Sequence, residues 1–310
     1  MALFNSMVNG LVIIGLGILL IGLILPWFRV NWLSHQGRKR AFLLHRPRAA
    51  INTPNLPLVL VLHGAGGSVW RISRFARFTG FNHLADQENF LVAYPIAWRK
   101  RWNDSNREAT QSCQDIDDVA FIHDLIEHLA QRYEIDRERV YAVGISNGGA
   151  MTYRLSCELA DSFAAIATVS SFFPLALAHH CPARRPLPVL IMNGTEDPLI
   201  PLQGGWLQFR QKRLGQILAL EAVVSYWIGR NGCHQRKTIP HPGSAEDGTR
   251  VQHDRYCTAQ GQTGLELYTI QGGGHTWPGS RQYLPTAWVG RTSQAINASE
   301  QIWDFFKRHR

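Results

Sequence analysis

Residues Gly144-Ile145-Ser146-Asn147-Gly148, continued by Gly149, end an apolar, β-branched run and open a helix-compatible stretch. Where a strand turns straight into a helix, a G-x-S-x-G pattern puts its central residue in a strained backbone. Glycines on either side remove Cβ atoms that would clash. The strain holds the Ser146 hydroxyl clear of the sheet. The Asn147 amide then sits at a helix N-terminus, where N–H groups have no internal partner, and can donate to a developing oxyanion. The pentapeptide alone also fits a glycine-rich turn or a phosphate-binding loop. Its place between a strand and a helix favours a nucleophile.

A serine nucleophile needs a base, and the base needs an orienting acid. Asp197 lies in NGTEDPLIP after an expected strand over 189–192, and His275 in GGGHTWPG after one over 265–270. Serine, acid and histidine thus follow one another in hydrolase order, each after a strand. Glu196 is the neighbouring acid; Pro198 favours a turn or extended conformation at Asp197. Among the 13 histidines, His234, His241 and His253 read as solvated loop residues and His63 as a structural one. The second oxyanion donor is expected from LHGAGGS: the Ala65 amide, with Gly66 as second choice. Trp277, Trp102, Trp206 and Trp227 are candidates for an aromatic acyl wall, and each also suits plain packing. His123 and His128 lack the i, i+4 spacing of a helical zinc pair, so neither a metal site nor a cofactor is expected.

These residues need elements to hold them. RKRAFLLHRP reads as a first strand, and LPLVLVL as a strand buried on both faces. FNHLADQENFLVAYP reads as a helix and a short strand. DIDDVAFIHDLIEHLAQRYEI puts Val119, Ile122, Leu125, Ile126 and Leu129 on one face of a helix with an acidic first turn. RVYAVGIS, LPVLIMNG and LELYTIQ are further strands, and SQAINASEQIWDFFKRHR closes as a helix. Alternating apolar strands and helices imply an α/β fold with a mostly parallel, doubly wound sheet. Ligands in such sheets sit outside the carboxyl ends of the strands.

The chain of 310 residues carries a net charge of +9 with no basic stripe, so no nucleic-acid partner is expected. Residues 1–28 hold no charged side chain. Residues 8–25 are long and apolar enough for a transmembrane helix, with a cleaved signal as the rival. The expected division is an anchor or signal segment over 1–28, a linker over 29–39 and a catalytic domain over 40–310. Within that domain 200–260 reads as an irregular insertion over the active-site edge. Arg29, Arg38, Lys39 and Arg40 argue for a cytoplasmic flank. Of the five cysteines, Cys157 with Cys181 and Cys233 with Cys257 could pair in an oxidising compartment, leaving Cys113 over; five ordinary thiols are the alternative.

The segments LVLVLHGAGGS, DIDDVAFIHDLI, RVYAVGISNGGAMTYRLSCELADSFAAIATV, VLIMNGTEDPLIPLQGG and YTIQGGGHTWPG together resemble the polyhydroxybutyrate depolymerase and feruloyl esterase family of α/β-hydrolases over about 40–310. The resemblance implies a secreted or periplasmic carboxylic-ester hydrolase with Ser146 as nucleophile, Asp197 as acid and His275 as base. It also implies a Cys233–Cys257 disulfide. Expected substrates are small or oligomeric hydroxyalkanoate, feruloyl or acetyl esters, turned over by a monomer held at the membrane by its N-terminal segment. An acyltransferase using the same residues, or a catalytically silent binding homologue, are the alternatives.

Overall fold

The computed structural model describes residues 30–310 apart from 51–52, 107–112, 182–184, 210–211 and 242–244. Strand β1 (Val30–His35) pairs antiparallel with β2 (Arg38–His45), and β2 pairs with β4. The chain between them supplies β3 (Leu56–Leu62), α1 (Val69–Thr79), α2 (Phe81–Glu88) and β4 (Leu91–Pro95). Helix α3 (Asp118–Tyr133) leads to β5 (Ile135–Ile145), α4 (Asn147–Glu158), β6 (Ala165–Val169), the short α5 (Leu175–Ala178) and β7 (Val189–Gly194). Then come the hairpin β8 (Gly205–Phe209) and β9 (Lys212–Ile217), α6 (Leu220–Arg230), β10 (Gln235–Ile239), β11 (Arg250–Cys257) and β12 (Thr263–Gln271). The short α7 (Thr286–Val289) and α8 (Ala298–Phe306) close the chain.

Ten strands form one sheet in the order β1-β2-β4-β3-β5-β6-β7-β12-β11-β10. The central run from β4 to β12 is parallel, and the strands outside it are antiparallel. All residues of β3, β4, β6 and β7 are buried, as continuous apolar runs covered on both faces must be. Successive side chains of a strand point to opposite faces, so β3 splits between two cores. Leu58, Leu60 and Leu62 pack with α3, α4 and α6, whereas Val59 and Val61 pack with α1, α2 and α8. Helix α3 buries Phe121, Ile122, Leu125, Ile126 and Leu129, and the Asp117 side chain caps it by accepting from the Ala120 amide (2.9 Å).

Several expectations need correction. The stretch 29–39 is not a linker, because Val30–His35 forms a hydrogen-bonded edge strand. The stretch 200–260 is not irregular. It holds β8 to β11, and α6 drives Val223, Val224 and Trp227 into the core. His253 is no solvated loop residue. It is buried on β11, stacks on Tyr268 at 4.0 Å and lies 3.1 Å from the Glu266 carboxylate. The cysteine bond joins Cys157 to Cys181, their Cα atoms 4.8 Å apart. Cys233 and Cys257 are buried free thiols, contrary to the pairing implied above. Cys233 Sγ faces the Tyr256 carbonyl at 3.5 Å, and Cys257 Sγ faces Thr263 Oγ1 at 3.9 Å. Backbone bonds such as His234 N–H to Cys257 O (2.8 Å) already hold these segments together. Among the described residues no helix is long and apolar enough to cross a membrane; the expected anchor, 1–28, lies outside them.

Candidate active site

Strand β5 ends at Ile145 and α4 begins at Asn147, so Ser146 alone makes the turn, at φ 57° and ψ −127°. A non-glycine residue there carries strain of about 1–3 kcal/mol, which the surroundings must hold. They do so tightly. A Cβ on Gly144 would lie 2.3 Å from the Gly148 carbonyl, and one on Gly148 would lie 2.4 Å from the Leu62 carbonyl. Only glycine at both positions lets the helix start press onto β3 and β5. The Ser146 amide donates to Val169 O (3.1 Å), and Ser171 Oγ donates to Ser146 O (2.8 Å).

Past the end of β7, Asp197 turns its carboxylate inward. Oδ1 accepts from the Leu199 and Ile200 amides (2.8 and 2.9 Å), and Oδ2 lies 2.8 Å from His275 Nδ1. Both side chains are almost fully buried, whereas Glu196 is exposed. Past β12, the His275 amide donates to Val289 O (2.5 Å), and its carbonyl accepts from the Tyr283 hydroxyl (3.1 Å). Ser170 Oγ donates to Thr276 O (2.9 Å), tying the residue after β6 to the histidine loop. Ser146, Asp197 and His275 therefore all stand at the carboxyl edge of the parallel strands. The Asp197–His275 pair is hydrogen-bonded; among the described residues no hydrogen bond joins it to Ser146. Such bonds are often long without substrate and tighten in the reacting complex.

On the other flank, the amides of Asn147 and Ala65 carry no intramolecular hydrogen bond among the described residues, but that of Gly66 donates to Lys100 O (2.7 Å). This removes the second-choice donor and leaves the first available. His63 is buried under Gly67. Its Nδ1 donates to Gly64 O (2.6 Å) and its Nε2 accepts from the Ala97 amide (3.1 Å). Desolvation lowers its pKa to about 4, so at neutral pH it is an uncharged structural ring.

The aromatic candidates do not form a wall. Trp277 is buried against Phe75 and Phe81, with its indole N–H on Ser299 Oγ (3.1 Å). Trp102 is buried with its indole N–H on His63 O (2.9 Å), and Trp227 belongs to the core. Trp206 is exposed on β8, its ring 4.8 Å from the Arg213 guanidinium. What does flank the edge is an apolar pocket lined by Phe172, Ile200, Ile217, Ser171 and Asn193. Ser171 and Ile200 are the residues bonded to Ser146 and Asp197.

Sequence reasoning missed the side chains of Asn147 and Asp104. Asn147 Nδ2 donates to Asp104 Oδ2 (2.7 Å), a contact 43 positions apart with no periodic signature. It also missed Tyr283, whose hydroxyl lies near enough to Asp197 for burial and that charge to raise its pKa to about 12.

The family model described as esterase PHB depolymerase matches residues 40–195. The chain is 32% identical over 278 residues to NocK of Nocardia uniformis subsp. tsuyamanensis, a protein named as an esterase, covering 87% of this chain and 79% of that one. It is 32% identical over 167 residues to Feruloyl esterase B of Piromyces equi, covering 53% of this chain but only 30% of that protein. Among solved structures, the acetyl xylan esterase of Aspergillus awamori superposes with a TM-score of 0.60 at 14% identity. That match covers 90% of this chain and 99% of the other and shows a shared α/β-hydrolase fold.

Proposed function

Because the chain belongs to the PHB depolymerase family of carboxylic ester hydrolases, we propose that it hydrolyses esters through Ser146, His275 and Asp197. The observation that carries this is the strained Ser146 elbow on the same sheet edge as the hydrogen-bonded Asp197–His275 pair. His275 takes the Ser146 proton as the hydroxyl oxygen attacks the ester carbonyl, then returns it to the leaving alcohol. Asp197, on Nδ1, holds the ring in the tautomer that leaves Nε2 free to accept. The Ala65 and Asn147 amides receive the oxyanion, and loss of one such donor costs about 3 kcal/mol. Water, activated by His275, then releases the acid.

The names of the relatives favour feruloyl and acetyl esters as substrates. The Cys157–Cys181 bond is compatible with an extracellular enzyme and supports a catalytic domain working outside the cytoplasm. The test is p-nitrophenyl acetate turnover with and without Ser146→Ala and His275→Ala, followed by methyl ferulate, acetylated xylan and hydroxybutyrate oligomers. Both variants are expected to stay folded and lose turnover; full turnover in either, on a folded protein, contradicts the assignment.

A further inference from the structure

Asp104 is fully buried, and burial raises its pKa to about 6 against the pull of Arg101 and its hydrogen bonds. A carboxylate is costly to bury, so the contacts that retain it are informative. Its Oδ1 accepts from the Asn106 amide (3.0 Å) and its Oδ2 from Asn147 Nδ2 (2.7 Å). Trp102 completes the grip on the same carboxamide. Its amide donates to Asn147 Oδ1 (2.9 Å), and its carbonyl accepts from Asn147 Nδ2 (3.1 Å). Both N–H groups of the Asn147 side chain are thereby used, and its rotation is fixed.

The loop that carries Asp104 and Trp102 also holds the opposite arm. Ala97 N–H, the Lys100 carbonyl and the Trp102 indole bond to His63 Nε2, Gly66 N–H and His63 O. The loop is itself pinned from behind. Asn103 N–H donates to Asp118 Oδ2 (2.8 Å), and Asp118 pairs with the buried Arg40 guanidinium at 2.6 Å. Three of its non-glycine residues, Arg99, Lys100 and Ser105, stand at positive φ, so this path is held rather than relaxed. One loop thus spans the two segments whose amides face the oxyanion.

We propose that Asp104 is a positioning residue of the oxyanion hole: through the Asn147 side chain it sets the direction of the Asn147 amide relative to the Ala65 amide. This rests on the reading of Ser146 as nucleophile and of those two amides as donors. Nothing in the ground-state substrate needs the oxyanion geometry, so the effect falls on kcat and not on KM.

The test is a double-mutant cycle of Asp104→Asn and Asn147→Ala, which keeps the backbone amide, with kcat counted per site titrated by an organophosphate. Asp104→Asn is expected to lower kcat about 10²-fold with KM within about twofold, the size of a small misplacement at a reacting centre. It should weaken a phenylboronic acid, which forms a tetrahedral anion on the serine, by a similar factor. In the Asn147→Ala background it should do nothing further. A loss confined to melting temperature or to the titratable fraction, or losses that multiply in the double variant, overturns the proposal. If Asp104→Asn gives no soluble enzyme, Asn147→Ala alone must show the same kcat loss at unchanged KM, and full kcat there overturns it. Unchanged turnover in Ser146→Ala overturns the parent reading and this one together. Normal loss in Ser146→Ala beside full kcat in Asp104→Asn overturns this one alone.

Discussion

The two flanks of Ser146 are built differently. On the β3 and β5 side, a buried strap holds both donor segments: its Asp104 carboxylate and Trp102 backbone grip the Asn147 side chain, and its Ala97 amide and Trp102 indole grip the uncharged His63 just before Ala65. On the β7 and β12 side, two side chains face each other at 2.8 Å, and the bracing is mostly backbone: two amides on Asp197 Oδ1 and one carbonyl on the His275 amide. The difference matches two tasks. Stabilising charge asks for dipoles already in place before reaction. Moving a proton asks for a ring that keeps its tautomer yet can change partner.

If the flanks divide the work in this way, the largest loss after those of the nucleophile and the base should come from the acid. Asp197→Asn is expected to cut kcat by about 10⁴-fold, as a triad acid replaced by its amide does. Glu196→Gln, exposed one residue away, should change it less than about threefold, a surface substitution away from any special contact. Steady-state kinetics on p-nitrophenyl acetate decides; a reversed pair of effects would make Glu196 the acid.

The disulfide separates folding from chemistry. Cys157 lies in the last turn of the helix that Asn147 begins, and a loop of 24 residues closed by the bond should contribute about 3 kcal/mol. Cys157→Ser with Cys181→Ser should lower the unfolding free energy by that amount in urea while leaving kcat at low temperature intact. A large kcat loss in the folded variant would show that the bond shapes the elbow.

Acid should act on the oxyanion flank through His63. Its folded pKa, about 4, lies below the ordinary 6.5, so between those values the unfolded chain binds more protons. Its contribution is therefore complete above pH 6.5 and lost as pH falls through 4, up to about 3 kcal/mol. Asp104, shifted up to about 6, has the opposite sign. Its ionisation costs stability above pH 6, and that cost is relieved as pH falls toward 3.8. The comparison is thus wild type against His63→Gln by urea denaturation at pH 7 and pH 4.5. The variant should lose less between the two, and parallel losses would remove His63 from the account.

The smallest effect belongs to the brace on the base. Tyr283→Phe removes the hydroxyl that donates to the His275 carbonyl. A neutral hydrogen bond is worth about 1 kcal/mol, so kcat should fall about fivefold at constant KM. No change would mean that the bonds from the His275 amide to Val289 O and from Ser170 Oγ to Thr276 O fix the loop without it.

The strand-end positions of Ser146, Asp197 and His275 were readable because each follows an unbroken apolar run ended by glycine or a turn, whereas β1, β6 and β8 to β11 were not read. The burial of Asp197 and exposure of Glu196 were not, since both are acidic and adjacent. Trp277 and Trp102 look like any aromatic near a motif; only packing shows that one fills the α1–α2 side of the core and the other supports His63. Periodicity marks a strand but not its direction, so the antiparallel pairing of β1 with β2 and of β11 with β12 went unread although the partners are neighbours in the chain. Spacing named the Cys157–Cys181 pair but could not choose it over five free thiols. The Asp104–Asn147 contact depends on partners far apart in the chain, where periodicity is silent. Short polar stretches carry no period, so the residues proposed to set the oxyanion flank were the least legible of all.

The central claim is that Ser146 is the atom donor to the acyl-enzyme. The most direct measurement is to react the full chain with a fluorophosphonate and map the adduct by peptide mass spectrometry. One adduct per chain on Ser146, with none on Ser146→Ala and esterase activity lost in step with labelling, is the predicted result. An adduct on another residue, or ester hydrolysis that survives full labelling of Ser146, would contradict it.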